Sequence, residues 1–160
     1  VTSSSLIDPL EVADLLAGEI SGSNDLPGDI SRLIRALDTL AYAIHFTSPE
    51  TPDGKTGESD SPRLDYRQVY DAVKERYPPL GCYWVALHPV MQDGVEGEVA
   101  VADAIDDLAD ILIELSDVRR IRDGGGRKDA LAALRARYDM HLWMHVHSLR
   151  QYLEEVNRDD

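Results

Sequence analysis

The feature that most constrains this chain is a pair of long apolar-periodic segments joined by Gly124-Gly125-Gly126. From about Val99 to Arg122, residues Ile105, Leu108, Leu112 and Leu115 recur at helical spacing and form one stripe. From Arg127 to Val156, residues Leu131, Leu134, Tyr138, Leu142, His145, Leu149, Tyr152, Leu153 and Val156 share a face. A turn this short forces the two helices to lie antiparallel. Two such stripes need further helices to cover them.

The upstream sequence supplies these. Asp8-Pro9 opens a first helix through Leu10, Val12, Ala13, Leu15 and Leu16, which Gly18 to Asn24 breaks. A second is expected from about Pro27 to Phe46, and a third from Asp65 to Tyr77, stopped by Pro78-Pro79. Gly81 to Pro89 is strand-like in composition but has no evident partner, so it reads as an extended connection pinned by Tyr83 and Trp84. Residues 48–62 contain no large apolar side chain and read as a mobile loop. The expected fold is all-α, one domain over residues 1–160: a bundle of about five helices with a long antiparallel C-terminal hairpin.

Composition excludes several functions. The net charge of -14 argues against nucleic acid, which needs a basic surface, and against charge-driven attachment to anionic lipid. No apolar run approaches the roughly 18 residues of a membrane span. Val1-Thr2-Ser3-Ser4-Ser5 has neither the basic region nor the apolar core of a secretory signal. The single cysteine, Cys82, permits no internal disulfide and reads as a buried, inert thiol. A cytoplasmic protein is the resulting expectation.

Three groups of residues could carry chemistry. Asp103, Asp107, Asp110, Glu114 and Asp117 make an acidic stripe opposite the apolar one, with Asp106 beside it. Either this is a solvated outer face or Asp106, Asp107 and Asp110 hold a divalent cation; the pattern favours the solvated face. The string Asp106-Asp107-Leu108-Ala109-Asp110 resembles the Glu-Glu-x-x-Asp element of all-α nucleoside-triphosphate pyrophosphohydrolases, without the second acidic pair those enzymes use.

His141 and His145 stand one helical turn apart, so both rings can reach one metal ion if a facing helix adds carboxylates. The competing and preferred reading makes His145 a core histidine bonded to a carbonyl or carboxylate. Met140, Trp143, Met144 and His147 give the same helix a second apolar face, suited to a homodimer or a protein partner. Around the glycine turn, Arg127 and Lys128 sit at a helix start, where basic side chains are unfavourable, and could bind an anion; an ordinary helical turn is the alternative.

Tyr83-Trp84, Pro89, the run Asp106-Asp107-Leu108-Ala109-Asp110-Ile111 and a closing helix bearing His141 and His145 resemble the bacterial family known as domain of unknown function 5063. The resemblance spans Leu64 to Leu153. His88 stands where that family has an aspartate, and Trp143 is placed differently between the histidines. The resemblance implies an all-helical fold with no assigned activity, and makes the acidic string and the histidine pair parts of one pattern. The function expected from sequence is a small interaction or oligomeric module without catalysis. The alternatives are a divalent-metal-dependent hydrolase of a phosphorylated small molecule, or a bundle binding metal through His141 and His145.

Overall fold

The computed structural model describes residues 7–54, 59 and 61–158. The serine-rich opening stretch and part of the 48–62 loop therefore lie outside the described residues. The elements run α1 (Pro9–Ser21), α2 (Ile30–His45), α3 (Tyr66–Arg76), β1 (Cys82–Ala86), β2 (Val99–Asp103), α4 (Ala104–Gly125) and α5 (Arg127–Arg137). A π-helical turn over Tyr138–Leu142 then carries the chain without interruption into α6 (Trp143–Arg158).

Aspartates start four of these helices. Asp8, Asp29, Asp65 and Asp103 each accept a hydrogen bond from a backbone N–H in the first turn, at 3.0, 2.7, 3.0 and 2.9 Å. Each satisfies an orphan donor and complements the positive end of the helix dipole. α1 runs past Gly18 and ends at Gly22, whose φ of 78° is left-handed. A side chain at Gly22 would also collide with the Arg76 guanidinium, so the position requires glycine twice over.

The core is drawn from every helix: Leu16, Ile20, Leu33, Leu37, Leu40, Val73, Leu108, Ile111, Leu134, Leu142, Leu149 and Leu153 are all sealed from solvent. Glu19 is buried among them. It accepts hydrogen bonds from Arg32, Asn24 and Tyr77 and lies 3.7 Å from Arg76, tying α1 to α2 and α3.

The fold is mostly α but not purely so. β1 and β2 form an antiparallel ribbon with Tyr83 opposite Ala102, Trp84 opposite Val101 and Val85 opposite Ala100. The partner absent from the sequence reading is the stretch Val99–Asp103, which apolar periodicity had assigned to the start of α4. Its Val-Ala-Val-Ala alternation is strand spacing, and Asp103 marks the true helix start. Cys82, expected to be buried, lies on the open side of this ribbon and is exposed.

The glycine turn is tighter than its three glycines suggest. Gly124 and Gly125 finish α4, and Gly126 alone reverses the chain with φ of 99°. The expected hairpin follows: Arg137 reaches Glu114 and Asp117, and farther along His145 reaches Asp107. The π turn adds a residue to one winding and shifts the phase of the buried face. Val146 therefore fills the core between Leu142 and Leu149, and His145 moves to the edge of that face.

Candidate metal centre

The acidic side of α4 is not a plain solvated face. Asp107 is 6% exposed and packed between two elements. Its Oδ2 accepts from the Tyr83 hydroxyl at 2.5 Å, and its Oδ1 lies 2.6 Å from His145 Nδ1. Two turns on, Glu114 holds His141 Nδ1 at 2.8 Å through one oxygen and Arg137 at 3.0 Å through the other. Each imidazole is thus oriented by a carboxylate on its Nδ1 side.

Their Nε2 atoms turn toward each other, 2.9 Å apart, with the rings edge to face. Asp110 Oδ2 is 4.0 Å from His145 Nε2, and one ligand atom from each of Asp110, His141 and His145 lies within 4.8 Å of the others. A tetrahedral ion bound at about 2.1 Å holds its ligand atoms about 3.4 Å apart, between the two separations found here. A carboxylate on the far ring nitrogen is the usual companion of a metal-bound histidine, because it sets the tautomer and raises ligand basicity.

Proton counting narrows the chemistry. With both Nδ1–H groups donating to carboxylates, the facing Nε2 atoms have room for one proton between them. They hold that proton, or a cation that takes its place. The Asp107 hydrogen bond raises the His145 pKa, against the opposing effect of burial. Burial, then the nearby Asp106 charge, raises that of Asp110. Tyr83 is pushed far above the ordinary phenol range by burial and by Asp107, so it remains a donor.

The other acidic residues are also engaged. Tyr66 donates to Asp106, and Tyr70 donates to Asp103 at 2.8 Å. Asp117 pairs with Arg120 and Arg137. Side-chain exposure rises from 17% at His145 to 33% at Asp110 and 44% at His141, so the cluster opens to solvent on one side.

Among the residues singled out from sequence, Asp110, His141 and His145 come together, Asp107 supports His145, and Asp106 stands alongside with Tyr66. Arg127 and Lys128 do not join them. They sit at the glycine turn, where Arg127 is 2.7 Å from Asp8 and Lys128 is 3.7 Å from Asp53. Arg119 and Arg122 share Asp14 nearby, so the basic patch pairs with acids of the same chain.

Sequence reasoning missed Tyr83 and the supporting role of Glu114. Hairpin register held the signal for the second: counting equally from Gly126 sets residue 141 opposite residue 111, within one helical turn of Glu114. No local pattern announced Tyr83, which reaches Asp107 because β1 pairs with β2, the strand that runs directly into α4.

No protein-family model matches the chain, and no curated protein matches it. Among solved structures, the fold is similar to that of protein BF1032 from Bacteroides fragilis, a structural-genomics target. The TM-score is 0.69 over 96% of this chain and 92% of that one, at 14% sequence identity. At this identity the likeness concerns the fold. Among the described residues, no helix is long and apolar enough to cross a membrane.

Proposed function

We propose that this chain is a divalent-metal-binding helical protein whose ion is held by Asp110, His141 and His145. The observation that carries the proposal is the pair of imidazoles facing each other through Nε2 while Asp107 and Glu114 hold both Nδ1 atoms. Mixed nitrogen and oxygen ligands suit zinc, iron(II), cobalt or manganese better than magnesium, which prefers oxygen alone. The π turn that contains His141 supports the same reading, since such turns cluster at functional sites. The acidic string and histidine pair behind the resemblance to domain of unknown function 5063 fall on this cluster. Membership of that family and a cytoplasmic location belong to the same proposal.

The test is to strip the purified protein with chelator, add back zinc, cobalt, manganese and magnesium separately, and measure bound ion by elemental analysis and calorimetry. One transition-metal ion per chain is expected, lost in the His141→Ala/His145→Ala variant. Equal binding by that variant, or none by the parent, overturns the proposal.

A second role is favoured by a separate surface. Trp84 is 75% exposed, and Trp143 and Met144 are also open. With Leu87 and Pro89 they flank a groove of about 640 Å³ between β1 and α6. Exposed aromatics of this kind mark interaction surfaces, so this face is proposed to meet a protein partner, a second copy of the chain being the first candidate. Light scattering on the parent and on Trp84→Asp tests it: a dimer that the variant dissociates supports self-association.

A further inference from the structure

We infer that the metal centre is hydrolytic: an ion on Asp110, His141 and His145 keeps positions open to water, Asp106 accepts that water's proton, and the substrate is an uncharged ester or amide. The inference rests on the metal reading above and adds to it an activity and a substrate class.

Structural sites close around the ion with four protein ligands, whereas catalytic sites use three and leave a position for water. Three protein ligands converge here, and the more exposed two, His141 and Asp110, open that position to solvent. Asp106 stands one turn before Asp110 on the same side of α4. One of its oxygens accepts from Tyr66, which fixes the carboxylate, and among the described residues no other side chain engages the second oxygen. A fixed carboxylate beside an open metal position is placed to act as general base.

Electrostatics selects the substrate. The carboxylates of Asp106, Asp107, Asp110 and Glu114 outnumber the positive charge that a divalent ion and Arg137 bring. A phosphate ester would enter a field that remains negative. The cations it would need, Arg127 and Lys128, are held at the glycine turn by Asp8 and Asp53. An uncharged acyl compound meets no such penalty.

In the reaction, the water oxygen bonds to the acyl carbon while the carbon–oxygen or carbon–nitrogen bond to the leaving group breaks. The water proton passes to Asp106 and then to the departing alkoxide or amide nitrogen. The products are a carboxylic acid and an alcohol or amine.

The test uses the full chain loaded with zinc, with one ion per chain verified by elemental analysis, acting on p-nitrophenyl acetate and on p-nitrophenyl phosphate. The acetate should be hydrolysed at least about ten-fold faster than by the His141→Ala/His145→Ala variant, which measures background. Asp106→Asn keeps an acceptor for Tyr66; it should lose at least about ten-fold in rate while still binding one zinc. The phosphate should not be turned over. In cobalt-loaded protein, acetohydroxamate should shift the visible absorption by entering the open positions. Zinc-loaded protein no faster than background, a preference for the phosphate, or a cobalt spectrum indifferent to hydroxamate each overturns the inference while leaving metal binding intact. A chain that takes up no zinc overturns both, and the elemental analysis tells the two failures apart.

Discussion

Asp107 Oδ1 and His145 Nδ1 lie 2.6 Å apart, joining the first turns of α4 to the last helix and turning His145 Nε2 toward His141 and Asp110. Asp107 is therefore a positioning residue: it holds the ring and its tautomer without sharing the site where an ion would sit. Asp107→Asn should weaken zinc binding by about 10–100-fold with the stoichiometry unchanged. Calorimetric titration of the two proteins under one buffer condition measures the difference.

The same contact gives stability a pH dependence in metal-free protein. The Asp107 hydrogen bond raises the His145 pKa above its unfolded value. The imidazolium then stabilises the fold fully below the unfolded pKa of about 6.5, and that contribution fades as pH rises through the raised folded value. In chelator-treated protein, the stability lost on His145→Gln should be larger at about pH 5.5 than at about pH 8.5. Urea unfolding at both conditions provides the comparison. Because protons and metal compete for the same nitrogens, zinc affinity should move the other way and rise with pH.

Tyr83 links the ribon of β1 and β2 to the centre. Its ring stacks on Tyr152 with centroids 4.7 Å apart, and its hydroxyl donates to Asp107. Tyr83→Phe keeps the stacking and removes the donor from a buried carboxylate, at a cost of about 1–3 kcal/mol. The unfolding midpoint should fall accordingly, with helical content by circular dichroism unchanged.

Glu19 is the buried charge on which the other end of the bundle depends. Glu19→Ala removes the carboxylate beside Arg76, whose guanidinium is mostly enclosed, and the side-chain acceptor for Arg32, while Tyr77 keeps its bond to the residue-19 carbonyl. A loss of about 2–4 kcal/mol is expected, because the remaining cation loses its compensating charge. Denaturant unfolding should show this loss with zinc stoichiometry preserved, since the polar partners of Glu19 (Asn24, Arg32, Arg76 and Tyr77) are not those of the histidine pair.

Much of the helical framework was legible because it follows from local rules. Asp8 caps the first helix and Asp65 opens the third as expected, Asp29 caps the second two residues past the expected start at Pro27, and Pro78 and Gly126 sit where the periodicity stops. The ribbon was harder to read. Residues Val99–Asp103 are apolar enough to continue the stripe of α4, and only pairing with Cys82–Ala86 makes their alternation decisive. Strand pairing is a contact between distant residues, invisible to any window along the chain.

By itself, the sequence determined the helices to within a few residues, the Asp8 cap and the antiparallel hairpin, because spacing and turn length act over a few residues. It also set His141 and His145 one turn apart and lined up the carboxylates of α4. Whether those carboxylates faced water or imidazole was decided by tertiary structure alone. That outcome depends on how α4 rotates against the last helix, on the phase shift introduced by the π turn, and on the ribbon that lays Tyr83 across Asp107. Rotation and phase are set by packing of the whole core, so a stripe that looks solvated on an isolated helix becomes half of a site once its neighbour is in place.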